Sequence, residues 1–303
     1  MKTLQVIMPT LSLTEFQRRV EGLDKLPSLP AVLLPALNQL SADSDDVDLN
    51  KTVQLISHDS VLSSQVLHIA NSPSFGARQR ITSLRTATLA LGISRLREIV
   101  TSCSLMQISP IGRDFDPTCF WEHSLACALV CRNLARKINY ADLERAYLAG
   151  LVHDLGILVN VLLISHEFSR VFEIAVDSRR PLLDVEREQI GMTHEITGDL
   201  LSSHWHLCDY LSEVMRHHHD VGNATRDPVL TSLVNVADLL CRTSGLGYGY
   251  EESLEVRLLE EPAWKVLAAY SPGLNSLDMA CFATEIESYV QEVRTLVLVL
   301  FRF

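Results

Sequence analysis

The stretch Ala146-Tyr-Leu-Ala-Gly-Leu-Val-His-Asp-Leu-Gly156 combines apolar residues at helical spacing with an adjacent His–Asp pair. The helical neighbours of His153 are the small residues Ala149, Gly150 and Gly156, so a second helix can approach this face closely. Adjacent side chains on a helix diverge by about 100°. An imidazole and a carboxylate can nevertheless share one divalent ion that lies near the backbone. Taken alone, the pair favours a hydrogen-bonded core histidine over a metal ligand.

Histidine is concentrated around this stretch, since nine of the 11 histidines lie between His123 and His219. His123 begins a predicted helix whose inward positions are small. Asp238 is a carboxylate inside an otherwise apolar helix, where burial without a partner would cost several kcal/mol. Each further histidine considered alone fits a structural role. A metal site is favoured by the ordered set on successive helices, namely His123, His153-Asp154, His194, His217-His-His219 and Asp238.

Helical periodicity extends over nearly the whole chain of 303 residues, and no sustained alternating segment has strand composition. One predicted helix covers 141–161 and carries the His–Asp pair. Only 13 Gly and 11 Pro are present, which disfavours collagen, low-complexity linkers and turn-rich β-sandwiches. Turn-forming residues at 110–117 and at 244–249 mark the two best boundaries. The sequence therefore predicts an all-α fold.

The formal net charge of −11 has the wrong sign for a protein that coats nucleic acid or an anionic bilayer with its whole surface. Residues 71–113, however, contain six arginines and only one glutamate. This segment is either a solvated face or a patch for an acidic partner or a phosphate. The arginines proposed to bind a partner are Arg78, Arg80, Arg85, Arg95 and Arg97.

The seven cysteines are scattered through apolar segments and form no C-x-x-C pair, so they predict neither a disulfide framework nor a cysteine zinc site. They are typical of buried thiols in a reducing compartment. We find no uninterrupted apolar run of the ~20 residues that a bilayer requires. We therefore expect a soluble, cytoplasmic protein that binds neither a membrane nor nucleic acid.

The order His123, His153-Asp154, Asp238 resembles the H…HD…D signature of the HD superfamily of metal-dependent phosphohydrolases. Within that superfamily the chain is similar, over about residues 20–260, to the HDOD family, the HD-related output domain of bacterial signalling proteins. The phrases that carry this resemblance are Leu26-Pro-Ser-Leu-Pro30, Ile56-Ser-His-Asp-Ser-Val-Leu-Ser63, Val66-Leu-His-Ile-Ala-Asn-Ser72, Leu89-Ala-Leu-Gly-Ile93, Glu186-Arg-Glu-Gln-Ile-Gly-Met-Thr-His194 and Ala237-Asp-Leu-Leu240.

The resemblance implies an N-terminal helical subdomain packed on an HD-domain-like helical bundle. We expect the N-terminal helical half at 1–115, the bundle with the candidate metal site at 116–245, and a C-terminal helical extension at 246–303. Carried over residue by residue, the metal ligands of the relatives fall on His123, His153, Asp154, His194, His218, His219 and Asp238. The ion would be a divalent metal, with Fe, Mn, Zn and Mg all open.

Three departures from the relatives affect the predicted activity. The lysine of the HDxGK motif is replaced by Ile157, which removes a cation that would contact a phosphate. No GYP motif follows His219-Asp220, although it marks the HD-GYP relatives that cleave cyclic dinucleotides at a centre of two or three metals. Cys119 stands where some relatives place a glutamate ligand. We therefore assign no catalytic residue.

Two functions follow from the resemblance and its departures. The favoured one is a bacterial signal-transduction output or adaptor module that retains a metal site but has lost efficient phosphodiester hydrolysis. Its expected partner is another signalling protein, with a nucleotide as a further candidate ligand. The alternative is an active metal-dependent phosphohydrolase acting on a nucleotide or cyclic dinucleotide. In that case His123, His153, Asp154 and Asp238 would hold one metal. A second would be held with the help of His194, His218 and His219.

Overall fold

The computed structural model describes residues 56–57, 59–71, 80–108 and 115–276, with Phe282, Thr284, Glu285, Val293, Arg294 and Val297 near the C-terminus. Within these ranges the chain is helical and contains no strand, which confirms the predicted all-α class. The helices are α1 Ser60–Ala70, α2 Leu84–Leu91, α3 Ile93–Met106, α4 Pro117–Lys137, α5 Leu143–Val152, α6 Leu155–Leu163, α7 Ser165–Ser178, α8 Leu182–Gln189, α9 His194–His204, α10 Asp209–His217, α11 Pro228–Thr243 and α12 Pro262–Tyr270. Arg78, the 26–30 phrase and most of the 110–117 boundary lie outside the described residues.

Aspartate caps fix the starts of the three helices that carry the centre of the predicted site. Asp116 accepts a hydrogen bond from the backbone N–H of Thr118 at 2.8 Å. The same arrangement joins Asp142 to the N–H of Arg145, at 2.8 Å, at the start of α5. Asp227 caps α11 in this way, and a proline follows it at the first helical position. Such caps satisfy donors that a helix start leaves unpaired, so the beginnings of α4, α5 and α11 are set locally.

The helix predicted over 141–161 is wrong in one respect, because the chain forms two helices, α5 and α6, that meet at the His–Asp pair. Asp154 has φ −102° and ψ 10°, outside the helical region. The ring of His153 bonds back to the carbonyl of Gly150 at 2.8 Å. At the break, His153 Nε2 and Asp154 Oδ2 lie 3.1 Å apart, whereas adjacent side chains on a continuous helix diverge by about 100°. Both side chains can therefore reach the same point.

Two glycines allow the helices around this break to pack backbone against backbone. A Cβ atom at Gly150 would lie 2.8 Å from the carbonyl oxygen of Cys127 on α4. A Cβ atom at Gly156 would lie 1.9 Å from the carbonyl oxygen of His194 on α9. The expected small-residue face thus brings α4 and α9 against the His–Asp pair from two sides.

One continuous apolar core contains described residues from all three predicted parts of the chain, 1–115, 116–245 and 246–303. Leu96 on α3, Trp121 on α4 and Trp264 on α12 all belong to it, with exposures of 0%, 0% and 2%. Residues before 115, within the bundle and after 245 are therefore packed together. The boundaries at 115 and 245 stay predictions.

Glu213 braces the segment between α10 and α11. Its carboxylate accepts backbone hydrogen bonds from Thr225, Arg226 and Asp227, each 2.7 Å long. Burial opposes ionisation, but these three N–H donors outweigh it and hold the pKa of Glu213 below its ordinary value. These hydrogen bonds fix the position of the start of α11 relative to α10. They thereby help to place Asp238 near the His218-His219 pair.

Among the described residues, one segment is long and apolar enough to cross a membrane, with a mean hydropathy of 1.7 over Leu143–Leu163. It contains α5, α6 and the break between them. Its apolar window is 89% buried inside the protein, which is the behaviour of a core segment.

We expect Gly156→Ala to lower the free energy of unfolding by about 3 kcal/mol, because its methyl group would overlap the backbone of α9. The control is Gly222→Ala, whose Cβ would meet its nearest atom at 3.6 Å. Denaturant unfolding followed by circular dichroism measures both variants. Equal stability of the two would contradict the packing described here.

We expect Glu213→Gln to destabilise the protein by about 1–2 kcal/mol at pH 7, because charge-assisted hydrogen bonds are stronger than neutral ones. The folded-state pKa of Glu213 is lowered, so its stabilisation is present above the unfolded pKa and is lost as the pH falls through the folded value. The unfolding curves of the variant and the wild type should therefore converge below about pH 4. The exposed Glu255→Gln serves as the control, and a stability difference that does not change with pH would refute the explanation.

Candidate metal centre

The structure brings all seven predicted ligands into one buried centre. Asp154, His153, His218, Asp238 and His123 have no exposed surface, and His194 is 1% exposed. The side chain of His219 is 12% exposed. Each residue comes from a defined place: His123 from α4, the His–Asp pair from the break, His194 from the start of α9, His218-His219 from the end of α10, and Asp238 from α11.

Asp154 lies at the middle of this centre. Its Oδ2 atom is 3.1 Å from His153 Nε2 and 3.3 Å from His123 Nε2. Its Oδ1 atom is 3.3 Å from His218 Nε2 and 3.5 Å from His194 Nε2. The two oxygens of one carboxylate therefore face two different pairs of imidazoles.

The outer nitrogens of three imidazoles are held by backbone carbonyls. A carbonyl oxygen only accepts hydrogen bonds, so Nδ1 of each ring carries the proton and Nε2 of the neutral ring keeps a lone pair that faces the centre. These bonds run from His123 to Leu246 at 2.7 Å, from His153 to Gly150 at 2.8 Å and from His218 to Val214 at 3.1 Å. This arrangement is typical of metal-ligating histidines.

The fourth ring, that of His194, is held by a carboxylate. Glu186 on α8 has no exposed surface and lies 2.7 Å from His194 Nδ1 through its Oε2 atom. The same oxygen accepts the backbone N–H of His194 at 3.0 Å. Asn160 donates to the other oxygen of Glu186 at 3.0 Å. Burial lowers the pKa of His194, but the charge of Glu186 and its hydrogen bond outweigh burial and raise it to about 9.

The donor atoms form two groups, each with its atoms within 4.8 Å of one another. One group contains Asp154, His194, His218 and His219, and the other contains His123, Cys127, His153 and Asp238. Cys127 was not among the predicted ligands. Its position four residues after His123, one helical turn along α4, could have identified it.

Four polar atoms in the described centre are buried and lack any hydrogen-bond partner. They are His153 Nε2, His218 Nε2, Asp154 Oδ1 and Asp238 Oδ1. Buried polar atoms are normally paired, so these four atoms fit a cation as their common partner. Imidazole nitrogens and carboxylate oxygens are ligands of divalent transition metals. The centre therefore fits a divalent metal ion.

The buried carboxylates and histidines of the centre shift one another's pKa. Burial raises the pKa of Asp154, but His153, His123 and His218 outweigh it and hold that pKa well below its ordinary value. Burial lowers the pKa of His123, but the nearby carboxylates of Asp154 and Asp238 outweigh it and raise that pKa well above its ordinary value. The two buried carboxylates thus require positive charge between them, which a bound cation supplies when present.

A loop after α11, residues 245–252, covers the centre, and we call it the capping loop. Tyr248 is 4% exposed, and its hydroxyl donates a hydrogen bond to Asp154 Oδ2 at 2.5 Å. Its ring contacts that of His123 with centroids 4.8 Å apart. The turn-forming residues at 244–249 predict a break between helices, and Tyr248 is not among the predicted site residues.

An ion pair between Arg242 and Glu252 joins α11 to the capping loop. The guanidinium of Arg242 donates to Asp238 Oδ2 at 3.1 Å, one helical turn along α11. Its Nε atom donates to Glu252 in the capping loop at 2.9 Å. The spacing of Asp238 and Arg242 could have been recognised as an i, i+4 pair. The contact with Glu252 could not, because it depends on the path of the loop.

Four of the five proposed partner-binding arginines lie within the described residues. Arg95 pairs with Glu98 at 2.9 Å and Arg97 pairs with Glu144 at 2.7 Å, while Arg80 and Arg85 are exposed. Their role in binding stays a prediction. Ile157, at the position of the relatives' lysine, is fully buried.

The fold is thus an all-helical bundle around a buried His/Asp centre of the HD type. The chain belongs to the HDOD domain family, whose pattern matches residues 26–221. Asp238 and the capping loop lie C-terminal to the matched residues.

Solved structures agree with this assignment. An HDOD domain protein of unknown function from Geobacter sulfurreducens is 27% identical with a TM-score of 0.83, covering 95% of this chain and 97% of that one. A provisionally named phosphohydrolase from Shewanella amazonensis shares the fold, with a TM-score of 0.69 at 22% identity over 93% of this chain and 97% of that one. An uncharacterized protein from Treponema pallidum is 26% identical over 226 residues, 73% of this chain and 43% of the relative. The chain spans less than half the length of that curated relative.

We expect Glu186→Gln to weaken divalent metal binding about 10- to 100-fold, because it removes the charge that orients and polarises His194. The matched control is Glu188→Gln on the same helix, where an exposed carboxylate pairs with Arg180. Competition with a chromophoric chelator measures the affinity, and thermal unfolding checks that both variants fold. Equal affinities in the two variants would contradict the role given to Glu186.

Proposed function

We propose that this HDOD protein is a cytoplasmic bacterial signalling module that binds a divalent metal and acts as an output or adaptor domain without efficient hydrolysis. The observation that carries the proposal is the contrast between the donors and their surroundings. Six of the seven predicted metal ligands are buried, and the side chain of His219 is 12% exposed. The lysine that would contact a phosphate ester is replaced by Ile157, and the capping loop covers the approach to the centre.

The capping loop is the main obstacle to a substrate. A cleft of about 550 Å³ lies against it, lined in part by Glu122, Arg294 and Gly247. None of the seven candidate ligands lines this cleft. Leu246 and Tyr248 of the capping loop are 3% and 4% exposed and bond directly to His123 and Asp154, so they cover these two residues.

The second obstacle is the loss of a cation. Ile157 gives the centre no positive side chain where the relatives place lysine. Arg242, the buried cation nearby, is engaged by both Asp238 and Glu252. A phosphate would have to compete with two carboxylates for this guanidinium.

When bound, the ion would supply positive charge to the buried carboxylates and, in an active relative, would lower the pKa of a bound water. The residues that would hold it are His123, His153, Asp154, His194, His218, His219 and Asp238. In this chain we assign it a structural and regulatory role: metal binding would favour the packing that joins α4, α9 and α11. The exposed arginines of the N-terminal half would then meet a protein partner.

The alternative is an active metal-dependent phosphohydrolase acting on a nucleotide or cyclic dinucleotide. It is favoured by the two neighbouring donor groups, because two neighbouring ions can stabilise both the attacking and the leaving oxygen of a phosphodiester. Asp154 belongs to one group, and its Oδ2 atom faces His123 and His153 of the other.

We expect the purified protein to contain bound divalent metal and to hydrolyse cyclic dinucleotides and an aryl phosphodiester no faster than buffer, with Mn²⁺ or Fe²⁺ added. Asp154→Ala should lose the metal, because it removes the carboxylate that both donor groups face. Metal analysis and product chromatography measure the two properties.

Turnover that Asp154→Ala abolishes would refute the adaptor proposal and support the hydrolase. Failure to bind any metal, even after reconstitution under reducing conditions, would refute both. The histidines would then form a hydrogen-bonded core network.

A further inference from the structure

The two oxygens of Asp154 have different surroundings. Oδ1 is buried, lacks a hydrogen-bond partner and faces His194 and His218. Oδ2 accepts the hydroxyl of Tyr248 at 2.5 Å. A carboxylate oxygen that already accepts a strong hydrogen bond is a weaker donor to a metal. Oδ1, the oxygen of Asp154 that is the stronger metal ligand, therefore faces His194.

Asp238 has the same asymmetry, with a stronger cause. Its Oδ2 atom is held by Arg242, whose side chain is only 6% exposed. Its Oδ1 atom lies 3.3 Å from His123 Nε2. A dication beside His123 would therefore lie close to a carboxylate whose charge is already compensated by a buried guanidinium. That arrangement lowers the electrostatic gain of binding.

The other side of the centre uses neither Asp154 Oδ2 nor Asp238 Oδ1, although His219 Nδ1 lies 3.8 Å from Asp238 Oδ2. Its group consists of three imidazoles and Asp154, whose Oδ1 atom faces His194 and His218; these four ligands suit a four-coordinate ion. Nε2 of His194 and Nε2 of His219 lie 3.1 Å apart, as two ligands of one ion would. Glu186 adds negative charge behind His194.

We infer that the two metal positions are unequal: the position at His194, His218 and His219 binds an ion tightly, and Tyr248 keeps the position at His123 and His153 weak. This inference rests on the proposed metal binding and deepens it. A centre that holds one ion under working conditions lacks the pair that two-metal hydrolysis needs. Tyr248 is thus a positioning residue that acts through Asp154.

The test counts ions in the full-length protein. Wild type and Tyr248→Phe are loaded with excess Co²⁺, desalted and exposed to chelators of increasing strength. Metal analysis follows the ions retained, and visible absorption follows their ligand environment. The matched control is Tyr250→Phe, which removes the hydroxyl of a capping-loop tyrosine that bonds to the Arg180 carbonyl at 3.0 Å, away from the candidate ligands.

We expect the wild type and Tyr250→Phe to retain about one ion per chain and Tyr248→Phe to retain a second, with affinity for that second ion at least about tenfold higher. His153→Asn should keep the tight ion, and His218→Asn should lose it. Thermal unfolding in the presence of metal checks that each variant folds.

Identical retention by the wild type and Tyr248→Phe would overturn the inference while leaving the proposed metal binding intact. Two ions of equal affinity in the wild type would do the same. A tight ion that is lost in His153→Asn and kept in His218→Asn would also overturn it. Absence of any retained ion in the wild type would refute the proposed metal binding as well.

Discussion

A carboxylate with no exposed surface, Asp154, is the constraint on which the rest of the structure depends. An isolated charge at such a position costs several kcal/mol, so the fold must surround it with compensating groups. Imidazoles from α4, α9 and the end of α10 do so within 3.5 Å. The break between α5 and α6 lets the aspartate and its neighbour His153 face the same point. The small residues around the break let α4 and α9 come close enough.

The residues that contact the candidate ligands determine which atoms of the centre can bind an ion. Backbone carbonyls and Glu186 hold the outer nitrogens of the rings, which leaves the inner nitrogens free to bind an ion. The capping loop adds Tyr248 to one oxygen of Asp154 and closes the approach to the centre. The same residues that order the centre thus separate it from the neighbouring cleft. On the proposed function, this combination would let the protein hold a metal ion without efficient hydrolysis.

Helix positions and the residues that form the buried centre could be predicted because they depend on local patterns: apolar periodicity, aspartate caps, and histidine and aspartate at recurring places. The helix break at Asp154 could not, since the sequence there remains apolar and helix-forming while the side chain is drawn into a tertiary cluster. Glu186 lies within a recognised phrase, yet its bond to His194 depends on how α8 packs. Tyr248 is 94 residues from Asp154 along the chain, and only the path of the capping loop joins them.

Anomalous diffraction at a metal absorption edge, from crystals of metal-replete protein, tests the central claim most directly. The account predicts an anomalous peak about 2.0–2.2 Å from Asp154 Oδ1 and from the Nε2 atoms of His194 and His218. Crystals with no anomalous peak within the centre, and with water or direct hydrogen bonds joining Asp154 to the imidazoles, would contradict it. Asp154 would then be balanced by protonated histidines alone.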